Sequence, residues 1–201
     1  LWAFLAEHLE DDETNANNRF ALADRLNAEA FAGAPKFWGK PPSRDDLKAL
    51  PIKKHVSYSD IAERRVAERF FKGTQPVWKM FTAGSVGGQT MTGIARLEAL
   101  RKDEALCSYL RIWPFETDFE RSLPQGASVV IAELYPSAFD IAPEADEVLD
   151  RAQVRCVAEE LARRDQIGEL LPLLQAPLGV SDGDRQAMVD DEGSIIGAGV
   201  L

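Results

Sequence analysis

The chain has 201 residues, 45% hydrophobic and 28% charged, the composition of a soluble globular domain with enough apolar residues for a full core. Its formal net charge of −10 argues against a broadly positive nucleic-acid surface, while leaving room for a local basic groove or a divalent cation held between carboxylates. No uninterrupted apolar run reaches the roughly 18 residues that a membrane span needs, so no membrane association is expected.

The chain opens on Leu1, Trp2, Phe4 and Leu5, an apolar periodic run with no initiator methionine, which reads as a fragment or an N-terminally trimmed chain. LWAFLAEHL is too short and too charged at its end for a signal peptide. Residues 1–30 read as helical, with Phe20, Leu22, Ala23 and Leu26 on one face. FAGAPKFWGKPPSRDD follows, punctuated by Gly33, Pro35, Gly39, Pro41 and Pro42, and reads as a loop. Phe37 and Trp38 within it either pin the loop to the core or stack on a ring-shaped ligand. His8 and His55 are isolated, which weakens any Cys–His or Ser–His catalysis, and His55 reads as an ordinary loop residue.

After the polar connector over residues 45–58, Asp60 and Glu63 have the spacing of a capping box, predicting a helix through IAERRVAERFF that stops at Gly73. Arg64, Arg65 and Arg69 form its cationic face. They are either solvated and paired with Glu63 and Glu68, or an anion-binding surface. PVWKMF then leads into GSVGGQTMTG, followed by Met91, Ile94, Leu97 and Leu100 at helical spacing, with Arg101 and Lys102 suited to the helix end. The stretch satisfies neither GxxxxGK[ST] nor GxGxxG. Gly84, Gly87 and Gly88 therefore permit close packing, or else they expose amides to an anion together with Ser85, Gln89 and Thr90.

Leu110–Thr117 reads as an edge or bulged strand because of Pro114, and RSLPQG reads as a turn. In SVVIAELYPS the run Val129, Val130, Ile131 reads as a strand buried on both faces. Glu133, at the strand's C-terminal end, sits where open α/β sheets place ligands. A carboxylate there needs a metal or an arginine, and Arg155 is a natural partner. EVLDRAQVRCVAEELARRD reads as a long helix with Val148, Ala152, Arg155, Ala158 and Leu161 on one face. A last helix starts at Ser181 or Asp182 and stops at Gly193. Asp190, Asp191 and Glu192 oppose its dipole, which suggests a cation or plain exposure. Cys107 and Cys156, far apart in helix-like patterns, read as buried thiols of a cytoplasmic protein.

Taken together, NNRFALADRLN, FWGKPP, QPVWKMFTAGSVGGQTMTG, WPFET, AELYPS, DRAQVR and DDEGSIIGAG resemble an uncharacterised bacterial family with a ribonuclease-H-like fold and a Glu-x-aromatic-Pro signature. Some of its relatives carry a label from molybdopterin-guanine dinucleotide biosynthesis. The resemblance implies one α/β domain over 1–201, helix-rich with a mixed sheet and lacking N-terminal strands. It also implies a metal-dependent nuclease or phosphoryl-transfer hydrolase using Mg²⁺ or Mn²⁺, with Glu133, Asp184 and Glu192 catalytic and Glu133, Asp184 and Asp191 as metal ligands. Its ligand would be a phosphate-containing small molecule or nucleic acid, held by Arg64, Arg65, Arg69, Arg155 and the Gly84–Thr90 stretch, and a homo-oligomer would cover an open sheet side. The competing expectation is a non-catalytic domain that binds a nucleotide-like anion, or a protein partner through Phe37, Trp38 and Trp78.

Overall fold

The computed structural model describes residues 1–120 and 125–201. The expected turn at RSLPQG falls partly outside the described residues. The chain packs as two compact units: residues 1–64 with 73–107, and residues 65–72 with 108–201.

The first unit holds α1 (Trp2–His8), α2 (Arg19–Glu29) and α3 (Gly87–Lys102). The single helical stretch expected over 1–30 is broken between α1 and α2. There the Asp12 carboxylate accepts the Thr14 and Ala16 amides at 2.8 and 3.0 Å, a local alternative to helix bonds that aspartate readily offers. Leu5, Phe20, Leu22, Phe37, Met80 and Met91 form the heart of this unit's core. Phe37 and Trp78 meet edge to face at 5.1 Å, so Phe37 pins its loop. On α3 the apolar face differs from the expected one in its last turn: Leu100 is exposed, while Glu98 is buried and held by Arg101 and Lys102 at 2.7 and 2.8 Å.

The helix expected from Asp60 to Gly73 does not form. Residues 52–64 carry no helix or strand, and only a short 3₁₀ turn, Ala67–Phe70, follows in the second unit. Both capping-box acids are used elsewhere. Asp60 pairs with Lys36, and Glu63 pairs with Lys54 at 2.5 Å. Gly73, at φ +92°, still ends the segment as its conformational freedom allows.

In the second unit β1 (Leu110–Ile112) pairs in parallel with β2 (Val129–Ile131), Leu110 opposite Val129 and Ile112 opposite Ile131. The chain is therefore of mixed α/β character, with two parallel strands. β1 stops before Pro114, which follows a cis Trp113–Pro114 bond and has no N–H to continue a ladder. β2 is not buried on both faces as its apolar run suggested: Val129 is 41% exposed, because a two-stranded sheet leaves the outer edge of β2 uncovered among the described residues. Just past β2, Glu133 bridges to Ile195, whose neighbour Ile196 donates its amide to the Glu133 carbonyl at 3.0 Å. α4 (Leu149–Gln166), α5 (Leu170–Leu173) and α6 (Asp182–Ala187) complete the unit. α4 buries Ala152 and Val157 rather than the expected Val148 and Ala158, both of which are exposed. Ser181 caps α6 by accepting the Asp184 amide at 3.1 Å, and a π turn (Met188–Glu192) runs on to Gly193, as the sequence signals. Contrary to the sequence reading, Cys107 is exposed and Cys156 half-buried, and both are free.

Candidate functional site

In the second unit, five of the predicted residues meet around one short segment, Arg65–Arg69. Arg65 reaches Glu133 with both Nη1 and Nη2 at 2.8 Å, donates its Nε to Glu68 at 2.9 Å, and donates Nη1 to the Glu192 carbonyl at 3.2 Å. The Val66 amide donates to the Glu192 carboxylate at 2.6 Å, and Arg69 pairs with Asp184 at 3.2 Å. Burial alone would weaken the Arg65 charge, but the Glu133 and Glu68 carboxylates outweigh it and hold its pKa above the ordinary arginine value. Burial pushes Glu68, which is 3% exposed, upward against the pull of Arg65.

This arrangement has a clear chemical reading. Both oxygens of Glu133 are taken up by an arginine fork, the strongest carboxylate geometry a side chain offers. Asp184 is paired, Glu192 accepts a backbone amide, and Asp191 is exposed. Among the described residues no three His, Cys, Asp or Glu side chains stand together in a group able to hold a metal ion. As placed, a cation at Glu133 would have to displace Arg65.

Arg155 is not the partner of Glu133. It donates to Glu147 at 2.8 and 3.1 Å and to the Ala142 carbonyl at 2.8 Å, with Glu159 at 3.3 Å. That fork holds the Glu147 carboxyl near 2, well below the usual range. Arg155 also borders an open groove of about 710 Å³ with Arg163 and Arg164, both already paired to Glu160 at 2.7 Å.

In the first unit, the glycine stretch starts α3, and close packing is what Gly87 serves. A Cβ on Gly87 would lie 2.5 Å from the Val77 carbonyl oxygen and 2.8 Å from that of Lys79, to which the Gly87 amide donates at 2.9 Å. Gly84 turns at φ +73° beside Gln75, the Ser85 amide donates to Thr82 at 3.1 Å, and the Thr90 hydroxyl turns back to Val86 at 3.0 Å. Arg64 donates to the Thr74 carbonyl at 2.7 Å.

Gly88 has a different neighbour. The Arg19 side chain crosses it, and a Cβ there would lie 2.9 Å from Arg19 Cδ and Nε. The Gly88 and Gln89 amides, at the orphan donor positions of the first turn, make no hydrogen bond among the described residues. Arg19 is itself the first residue of α2, where the helix dipole disfavours a cation. Its polar contact is with Asn17 at 2.7 Å, its guanidinium lies 4.7 Å over the Phe20 ring, and it has no ion pair among the described residues. The sequence reading passed over Arg19. The signal was there in a cation within the helical stretch that has no acid three or four residues away on either side.

Compared with family models, with curated proteins and with solved structures, the chain matches none of the three. No helix is long and apolar enough to cross a membrane among the described residues.

Proposed function

We propose that this chain is a non-catalytic, cytoplasmic binding domain that recognises a small phosphate-bearing, nucleotide-like anion at the start of α3. The observation that carries this reading is Arg19. An arginine with no acid partner among the described residues lies across Gly88, beside the donor amides of Gly88 and Gln89. Two helix N-termini, those of α2 and α3, thus bring their positive ends to one guanidinium. The carboxylates of the second unit argue in the same direction, since those expected to catalyse are taken up by arginines or an amide of their own chain. Calorimetric titration with ADP and with inorganic pyrophosphate tests the reading. Binding in the native chain that is lost in Arg19→Ala supports it, whereas no binding, or equal binding by both proteins, rejects it.

One observation favours a second reading, a Mg²⁺- or Mn²⁺-dependent phosphoryl-transfer enzyme or nuclease of ribonuclease-H-like fold. Glu133 follows a parallel strand, and Glu133, Asp184 and Glu192 all contact the Arg65–Arg69 segment. On that reading Arg65 is a displaceable occupant of the Glu133 carboxylate. A Mn²⁺ titration of the native chain and of Glu133→Gln decides it: binding confined to the native chain is the expected result, and no binding to either sinks it.

A further inference from the structure

Lys36 is fully buried. Its Nζ donates to the Ser57 carbonyl at 2.9 Å and to the Asp60 carboxylate, and it stands 6.0 Å from the centre of the Tyr58 ring. Every one of these partners belongs to residues 52–64. A buried ammonium is costly unless paired, and here the pairing carboxylate is 62% exposed and sits on a segment without helix or strand.

No backbone amide or carbonyl of residues 52–64 takes part in a backbone–backbone hydrogen bond among the described residues. The segment is tied down through side chains instead. The Tyr58 hydroxyl donates to the Lys36 carbonyl at 2.9 Å and Trp78 Nε1 donates to the Ala62 carbonyl at 3.2 Å, beside the Lys36 bonds. Segments with few backbone bonds and mostly exposed residues open at low free-energy cost. The Tyr58 ring, 6.0 Å from the ammonium, rests against Trp78 at 6.1 Å, and Trp78 in turn meets Phe37. An open groove of about 480 Å³ nearby is lined by Pro35, Lys48, His55 and Asn27, whose side chain also holds the Lys36 and Phe37 amides at 3.0 Å.

We infer that residues 52–64 form a strap over a binding site for a planar aromatic anion, with Asp60 standing in for the ligand's acidic group on Lys36. Lifting the strap separates the ammonium from its carboxylate, so an anion that replaces Asp60 favours the open state, and Trp78 offers the ligand ring an aromatic face. The inference is independent of the site at the start of α3.

The test uses 1-anilinonaphthalene-8-sulfonate as the aromatic anion and N-phenyl-1-naphthylamine as its uncharged counterpart, both followed by fluorescence. Asp60→Asn frees the ammonium and is expected to bind the anion ~10-fold tighter than the native chain, with no comparable gain for the neutral dye. Lys36→Met loosens the strap equally but removes the charge, and is expected to show no gain for the anion. An equal gain in Lys36→Met, an equal gain for both dyes in Asp60→Asn, or no gain at all overturns the inference. Far-UV circular dichroism checks folding, and if Lys36→Met does not fold, the two dyes on Asp60→Asn decide alone.

Discussion

Arg65 grips Glu133 with both prongs of its guanidinium fork while its Nε holds the buried Glu68. The two acids sit in different surroundings, Glu133 partly in solvent and Glu68 3% exposed. Their losses are therefore unequal. Glu133→Gln is expected to cost about 1 kcal/mol, because exposed ion pairs are screened by water. Arg65→Ala strips the guanidinium from a buried carboxylate and is expected to cost about 3–5 kcal/mol. Urea unfolding of both variants measures the difference, and equal losses would show that Glu68 does not depend on Arg65.

The glycine stretch yields a prediction of opposite signs. Gly87→Ala would push a methyl group to 2.5 Å from a backbone carbonyl, and overpacking of this kind costs about 1–3 kcal/mol. Gly93→Ala, in the same helix with nothing within 4 Å of its would-be Cβ, is expected to stabilise by up to about 1 kcal/mol, the helix-propensity gain. Thermal melts of the two variants should move in opposite directions. A melting temperature unchanged by Gly87→Ala would contradict the close approach.

The acid side of the stability profile follows from the arginine pairs of α4. Arg155 holds Glu147, and Arg163 with Arg164 holds Glu160, each near 2 against an ordinary value of 4.5. Depressed carboxylates stabilise the fold above their unfolded pKa, and that contribution fades as pH falls toward the folded value. The melting temperature should hold steady above about pH 5 and drop between about pH 4.5 and 2. Glu147→Gln should show a shallower drop than the native chain. An identical slope in the two proteins would count against the pairing.

Local signals were legible wherever a residue's role was settled by its near neighbours in sequence. Ser181 caps α6, Gly193 ends the π turn that follows, and the α4 pattern marks its helix at nearly the right length. The glycines mark the start of α3, and Phe37 pins its loop. Failures came where a long-range partner took the residue. Asp60 and Glu63 have capping-box spacing, but Lys36 and Lys54 claim their carboxylates, and nothing in APKFWG signals that its lysine is buried. Val129 to Ile131 look like a central strand because the sequence states the strand and not the number of its neighbours. Glu133 pairs with an arginine, one of the two partners its position called for, but with Arg65 rather than Arg155, since acids and arginines abound and only the fold selects the pair.

The side-chain fastening of residues 52–64 has a practical side. Because no backbone ladder spans the segment, extra residues placed between Ile52 and Lys53 would interrupt none. The entropy of a longer loop grows only logarithmically, about 0.6 kcal/mol per doubling. An epitope tag or a small reporter domain grafted there should leave the neighbouring helices folded, which makes this stretch the natural place to attach the protein to a surface or to split it into complementing fragments.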